Sequence, residues 1–262
     1  MYESLRGKAA VITGAASGMG LAFSEALAEQ GCHIAVADMD EAAGKAAEQK
    51  IAATGAKCLF RKTDVSSGQE ARALMEATLE KFGRIDILIN NAGFQHMAPI
   101  HQFDEDKWNR MLAVMLTGTF LCTKYALPPM MAQKRGRVIN ISSIHGLVAS
   151  EFKSAYTAAK HGVIGFTKVL ALEGAPHNIT TVAICPSYVR TPLVERQIGE
   201  QAERHHIPAS EVVQKIMLAP AALKRLLEPR EVADLVVYLC GSDAAQAITG
   251  TALTIDCGWT AR

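Results

Sequence analysis

The chain has 262 residues, a formal net charge of +1 and 49% apolar residues. That length suits one large α/β domain or two small ones, with enough apolar material for a sizeable core. The near-neutral balance, without any basic block, argues against nucleic acid or an anionic membrane surface as a partner.

The start of the chain, Met1-Tyr2-Glu3-Ser4-Leu5-Arg6-Gly7-Lys8, lacks a signal-peptide pattern. No apolar run of roughly 18–20 residues stands out as a membrane span. Six cysteines at 32, 58, 122, 185, 240 and 257 form no CxxC pair. They read as reduced core thiols of a cytoplasmic protein, not as disulfides or metal ligands.

In chain order, short apolar runs alternate with longer amphipathic segments. Residues 9–12 read as a strand and 19–30 as a helix; 34–37 is a second strand and 40–53 an Ala-rich helix stopped by Gly55. A strand at 58–60 and a helix at 68–82 follow, then a β-branched strand at 85–89. A long helix over 108–131 closes near Pro128-Pro129. A strand at 138–141, a helix at 154–173, a strand at 181–184, a helix at 231–240 and a strand at 252–255 complete the chain. Such alternation predicts a doubly wound α/β fold, a parallel sheet covered on both faces, in a single domain over 1–262. Residues 191–227 break the rhythm, polar and helical, and are predicted to form a lid.

The turn Thr13-Gly14-Ala15-Ala16-Ser17-Gly18-Met19-Gly20 joins the first strand to the first helix. Its glycines allow a tight turn and close backbone approach to a pyrophosphate, and the helix amino terminus offers free N–H groups. Asp38 ends the second strand, where a carboxylate accepts hydrogen bonds from an adenosine ribose and repels a 2′-phosphate. No Arg or Lys occurs in Ala15-Ala16-Ser17, and Met39 follows Asp38, so NAD is expected over NADP. Asp40 is the better N-cap for the next helix.

Tyr156 and Lys160 lie four apart, on one face of a helix. A phenol is a poor acid or base at neutral pH, and a neighbouring ammonium lowers its pKa. Ser143, thirteen residues before Tyr156, can add a hydroxyl from a strand end. Together the three can polarise a carbonyl and move a proton to it or from an alcohol. By itself the pair also fits an ordinary exposed helix.

Four blocks stand in order: TGxxxGxG at 13–20, Asn90-Asn91-Ala92-Gly93, Ser143, and Tyr156 with Lys160. This set resembles the short-chain dehydrogenase/reductase family along essentially the whole chain, with the Rossmann-type sheet of that family. The resemblance implies that Tyr156 is the general acid/base, that Lys160 binds the nicotinamide ribose and lowers the Tyr156 pKa, and that Ser143 steadies the substrate oxygen. It implies cofactor contacts at Gly14, Ser17, Gly18, Met19, Gly20 and Asp38, at Asp64-Val65 beside the adenine, at Asn91-Ala92-Gly93, and at Pro186, Val189 and Thr191 near the nicotinamide. The family is usually tetrameric, through helices corresponding to roughly 106–133 and 153–174, so a homotetramer is expected.

Gly93-Phe94-Gln95-His96, the run from Ser143 to Ser150, Ala158-Ala159-Lys160-His161-Gly162-Val163, the run from Val189 to Gln197 and Gly258-Trp259-Thr260-Ala261-Arg262 resemble the bacterial D-3-hydroxybutyrate dehydrogenases within that family. The resemblance implies that Gln95, His145, Lys153 and Gln197 bind a small substrate carboxylate. The residues themselves agree: Lys153 lies three before Tyr156, and His145 two after Ser143 points the same way if that segment is extended. A cation with several donors suits a carboxylate. Alternatives remain, a solvated surface for Lys153 and a structural hydrogen bond for His145. His161, His205 and His206 read as exposed or capping residues.

Two positions depart from the pattern. Met115 stands where the family usually has Asn, which helps to hold a proton-relay water; Met cannot replace the amide, and reduced rather than absent activity is expected. Ser187-Tyr188 stands where hydroxybutyrate dehydrogenases typically have Gly-Trp, so Tyr188 keeps an aromatic wall with a different size and polarity. The sequence thus points to NAD-dependent, reversible oxidation of D-3-hydroxybutyrate or a close small 3-hydroxy acid, without a metal. A reductase of another 3-oxo compound such as an acyl thioester, and a non-catalytic NAD-binding protein, are the alternatives.

Overall fold

Seven strands, β1 (Ala9–Thr13), β2 (His33–Asp38), β3 (Cys58–Lys62), β4 (Ile87–Asn90), β5 (Gly136–Ile141), β6 (Ile179–Pro186) and β7 (Thr251–Ile255), pair in parallel in the order β3-β2-β1-β4-β5-β6-β7. The structure is a computed structural model and describes residues 2–261; Met1, Arg262 and the His205 side chain lie outside the described residues. β1, β4, β5 and β6 are buried along their whole length, which is why their sequences are continuous apolar runs without alternation. This is the Rossmann-type sheet expected from the pattern.

The helices are α1 (Gly18–Glu29), α2 (Glu41–Ala52), α3 (Gly68–Phe82), α4 (Glu105–Leu112), α5 (Gly118–Ala132), α6 (Ser154–Gly174), α7 (Pro192–His205), α8 (Ala209–Val212) and α9 (Pro229–Gly241). One core layer joins α1 and α9 to the sheet through Phe23, Leu27, Val236 and Leu239. The other joins α3, α4, α5 and α6 to the opposite face through Leu74, Met111, Cys122 and Leu170. The caps are local: the Asp40 carboxylate accepts from Ala43 N at 3.0 Å, and Gly83 ends α3 in a left-handed conformation.

Several expectations need correction. The fourth strand runs over Ile87–Asn90, two residues later at its start than expected. Asp86 is diverted there to accept hydrogen bonds from Ala9 N and the Arg84 guanidinium. The single long helix is two helices joined by a π turn at Ala113–Thr117. Pro128 and Pro129 do not close α5, because later N–H groups still find partners, Gln133 N on Pro129 O at 3.0 Å among them. The helical stretch Glu105–Ala132 is long and apolar enough to cross a membrane by length and composition, contrary to the reading of the bare sequence. It packs against α3, β4, β5 and α6, as a flanking helix of a sheet does.

The chain leaves β1 toward β2 and β3 and then returns to β4, so the crevice at the carboxyl ends of β1 and β4 is the switch point where such sheets bind ligands. Asn91 pins that crevice: its side-chain amide donates to the Thr13 and Gly14 carbonyls at 2.9 and 3.0 Å. Gly14 has φ +62°, and a Cβ on Gly20 would lie 2.1 Å from the Gly14 carbonyl oxygen. In an unobstructed helix Gly→Ala gains about 1 kcal/mol. Here the clash dominates: Gly20→Ala should lose roughly 1–3 kcal/mol of stability and weaken nucleotide binding, as read by denaturant unfolding and by NADH titration.

Candidate active site

The β1–α1 turn and the ends of β2 and β4 enclose an open cavity of about 430 Å³. Of the predicted cofactor residues, Gly14, Ser17, Gly18, Met19, Asp38, Asp64, Val65, Asn91, Ala92, Gly93 and Thr191 line it. Gly20 lies beneath the turn, where only hydrogen fits. Pro186 and Val189 are buried at the end of β6 and just beyond it, and with Tyr156 and Lys160 they stand outside this cavity's lining. A dinucleotide fits this cradle: there is backbone close to the turn, a helix amino terminus at its end and a carboxylate at its far side.

Asp38 is tied to that turn. Its oxygens accept from Ala16 N at 3.0 Å and from Asp40 N at 3.1 Å. The same end of the cavity holds Arg110, which the sequence reading missed. Its guanidinium donates to Asp64 Oδ2 at 2.9 Å and Ser66 Oγ at 2.6 Å, and it lies 3.4 Å from Met39 Sδ. A cation therefore does stand near Met39, but Asp64 already balances it. Nothing local in the sequence signals this, because Arg110 arrives from α4.

A second, smaller cavity of about 50 Å³ gathers Gln95, Ser143, His145, Lys153, Tyr156, Tyr188 and Gln197, the whole predicted substrate set, with Ile144, Ser187 and Val194 added by the fold. Ser143 follows β5, and Tyr156 sits in the first turn of α6. Two buried bonds fix α6 against β5: Ser142 Oγ donates to Lys160 O at 2.9 Å, and Asn140 Nδ2 to Thr167 Oγ1 at 2.9 Å. His145 reaches the cavity by a different route from the one expected. The segment is a 3-10 turn, Ile144–Gly146, because the Ser143 hydroxyl accepts from His145 N at 3.2 Å and reverses the chain.

Lys153 is 3% exposed. Its Nζ lies 3.2 Å from His145 Nε2 and donates to Tyr188 Oη at 2.9 Å. Burial, with the charges of Lys153 and His161, pushes the His145 imidazole down to about 3. The ring is thus neutral at pH 7, Nε2 accepts from Lys153, and Nδ1 carries the hydrogen. That Nδ1 is buried with no partner among the described residues, as are Gln95 Nε2, Gln197 Oε1 and Ser187 Oγ. The Gln95 carbonyl is occupied by Gln197 Nε2 at 3.3 Å. An unsatisfied buried amide N–H in the same cavity as a buried amine is a receptor for an anion.

The His145 shift sets an acid limit. The unfolded imidazole binds a proton below about 6.5 and the native one only near 3. This contribution to stability is complete above pH 6.5 and is lost as pH falls toward 3. In denaturant melts, wild type should lose stability relative to His145→Gln between pH 7 and pH 4.

The Tyr156 phenol does not show the lowered pKa expected from Lys160. Burial pushes it up to about 12, against a lowering hydrogen bond with Ser143. The Lys160 amine is drawn instead to the Ile141 carbonyl at 2.7 Å, lies 5.5 Å from the Tyr156 ring centre, and is itself pushed down to about 8 by burial. Tyr156 in this state is a proton donor. Met115 is 1% exposed, inside the π turn, and its side chain packs on Gly93. Its carbonyl accepts from Thr119 Oγ1 at 2.7 Å.

All six cysteines are unpaired, five of them buried. No cluster of metal-ligating side chains occurs among the described residues.

Residues 8–202 match the model of the family described as short chain dehydrogenase. The chain belongs to the short-chain dehydrogenase family. It is therefore an oxidoreductase of that family, whose members use a nicotinamide dinucleotide. Among its relatives within the family, the D-beta-hydroxybutyrate dehydrogenase of Rhizobium meliloti is 42% identical over 257 residues, 97% of this chain and 99% of that one. The D-beta-hydroxybutyrate dehydrogenase of Cupriavidus necator is 42% identical over 258 residues, 98% of this chain and 100% of that one. Among solved structures of short-chain dehydrogenases, an actinorhodin polyketide ketoreductase variant with NADPH superposes with a TM-score of 0.93 at 32% identity, covering 99% of both chains.

Proposed function

We propose that the protein oxidises D-3-hydroxybutyrate, or a close small 3-hydroxy acid, reversibly to the 3-oxo acid with NAD. The observation that carries this reading is the donor set of the small cavity: Lys153 Nζ bonded to His145 Nε2 and Tyr188 Oη, with Gln95 Nε2 unpaired among the described residues. A carboxylate is complementary to the Lys153 and Gln95 donors, and a cavity of about 50 Å³ favours a small acid. The two relatives named for D-beta-hydroxybutyrate support the same substrate.

Ser143 and Tyr156 face the same cavity and hold the reacting oxygen. When bound, the oxidised nicotinamide supplies the hydride acceptor and a positive charge. Tyr156 takes the hydroxyl proton in oxidation and returns it in reduction. Lys160, buried beneath it, holds positive charge on the path by which the proton leaves. Asp38, on the adenosine side, favours NAD over NADP because a 2′-phosphate would meet its carboxylate.

Residues 191–227 close over the site as a lid, packed through Val194, Val212, Met217 and Leu226 on Tyr188. Phe120, Val169 and Leu172 leave apolar surface exposed on α5 and α6, which suits a homotetramer in the cytoplasm. The test is NADH absorbance with D- and L-3-hydroxybutyrate and either dinucleotide. The D-acid with NAD should turn over fastest; a preference for NADP, or for the L-acid, contradicts the reading.

A further inference from the structure

Beyond the reaction cavity lies a second chamber of about 190 Å³, and Lys153 and Tyr188 belong to the walls of both. Its other walls include Phe152, Gln201, Arg204 and Trp259. Arg204 projects from α7, stacks over the Phe152 ring at 4.8 Å and donates one N–H to Met97 O at 2.8 Å. No carboxylate pairs with it among the described residues, although most arginines of this chain's surface are paired. Gln201 is 4% exposed and finds no side-chain partner among the described residues. Glu151, exposed to solvent, also lines the chamber, and its charge is the one there that opposes an anion among the described residues. The chamber thus combines apolar walls with a guanidinium, a buried amide and a shared amine, a set of donors that is complementary to an anion at the end of a short apolar tail.

The wall between the two cavities includes the Lys153 Nζ to Tyr188 Oη hydrogen bond, with Tyr188 packed on its other side against Val194, Val212, Met217 and Leu226. A carboxylate in the reaction cavity can compete with the phenol oxygen for Lys153 and remove one of the contacts that hold the Tyr188 ring. An indole at this position would offer Lys153 no acceptor oxygen at all.

We propose that the chamber is a distal substrate subsite, in which Arg204 and Gln201 hold a second carboxylate, so that the protein also oxidises 3-hydroxydicarboxylic acids longer than four carbons. This rests on the reading of the reaction cavity as a site for 3-hydroxy acids. The redox balance is unchanged: the alcohol gives a hydride to NAD and a proton to Tyr156. The Gln95 and Lys153 donors keep the proximal carboxylate, and the chain beyond carbon 3 passes Tyr188.

The experiment compares kcat/KM for D-3-hydroxybutyrate, 3-hydroxyhexanoate and 3-hydroxyadipate in wild type, Arg204→Met and Arg204→Lys. In wild type the dicarboxylate should exceed the neutral-tailed hexanoate by about tenfold or more. Arg204→Met should lower the dicarboxylate value by about tenfold or more and leave hydroxybutyrate within about twofold, and Arg204→Lys should recover part of the loss. Turnover of hydroxybutyrate without the dicarboxylate overturns the subsite, as does an equal loss on both acids in Arg204→Met with no recovery in Arg204→Lys. Equal use of hexanoate and adipate overturns the assignment of an anion to the chamber. Failure of all three acids with either dinucleotide overturns the reading of the reaction cavity itself.

Discussion

Tyr156→Phe should lower kcat in both directions by roughly 10²–10⁴-fold while leaving the fold and nucleotide binding intact. Phe keeps the ring that packs into the core layer beneath α6 and removes only the hydroxyl. The size of the loss follows from what that hydroxyl does. Ser143 can bond the reacting oxygen, but it has no means of exchanging a full proton near neutral pH. The phenol is protonated well above neutrality here, because burial outweighs its bond with Ser143 and the Lys160 amine is held on Ile141 O. The structure is thus poised to protonate a carbonyl. Oxidation needs the phenolate, so its kcat/KM should rise with pH, whereas the reductive direction should not. Stopped-flow and steady-state NADH absorbance check both statements, and near-wild-type turnover by the Phe variant would remove Tyr156 from the chemistry.

Lys153→Met should produce the second large effect, on substrate recognition rather than on the chemical step. Among the described residues the amine is the one cation lining the reaction cavity, and it is bonded to a neutral imidazole and a phenol. Removing one partner of a buried charge-assisted pair costs about 2–5 kcal/mol, which is roughly 30- to several-thousand-fold in kcat/KM. Met retains the length of the stem and keeps the cavity filled. The loss should fall mainly on KM, and a small secondary alcohol without a carboxylate should be affected far less. If the acid and the uncharged alcohol lose activity equally, Lys153 is structural. His145→Gln should behave in the same direction with a smaller loss, because a neutral donor is replaced by another.

Much of this arrangement is legible in the sequence because the signals are local. A strand, a glycine turn and a helix amino terminus lie within twenty residues, and Tyr156 and Lys160 share a helix face. Gln95 and Gln197 came only through resemblance, since they approach from separate elements, whereas spacing to Tyr156 and Ser143 also pointed Lys153 and His145 at the site. His145 shows the limit of local geometry. Alternation along an extended segment aims it at the site, whereas the chain folds into a turn and still delivers the ring there. Arg110 and Arg204 carried no signal at all. Each is an ordinary charged position on a helix, and only the crossing of α4 under Asp64 and of α7 over Phe152 makes it part of a cavity. The raised Tyr156 pKa was likewise invisible, because spacing places a cation nearby without saying that a backbone carbonyl will hold it.

On the proposed function, the small cavity reads a free carboxylate on a 3-hydroxy acid. The most direct measurement is the initial rate of NADH formation with D-3-hydroxybutyrate beside that with its acyl thioester, at equal concentration and fixed NAD. The expected result is rapid turnover of the free acid and little of the thioester, which has no carboxylate to offer Lys153. Turnover of the thioester with none of the acid would contradict it, and would make the protein a dehydrogenase of a different 3-hydroxy compound.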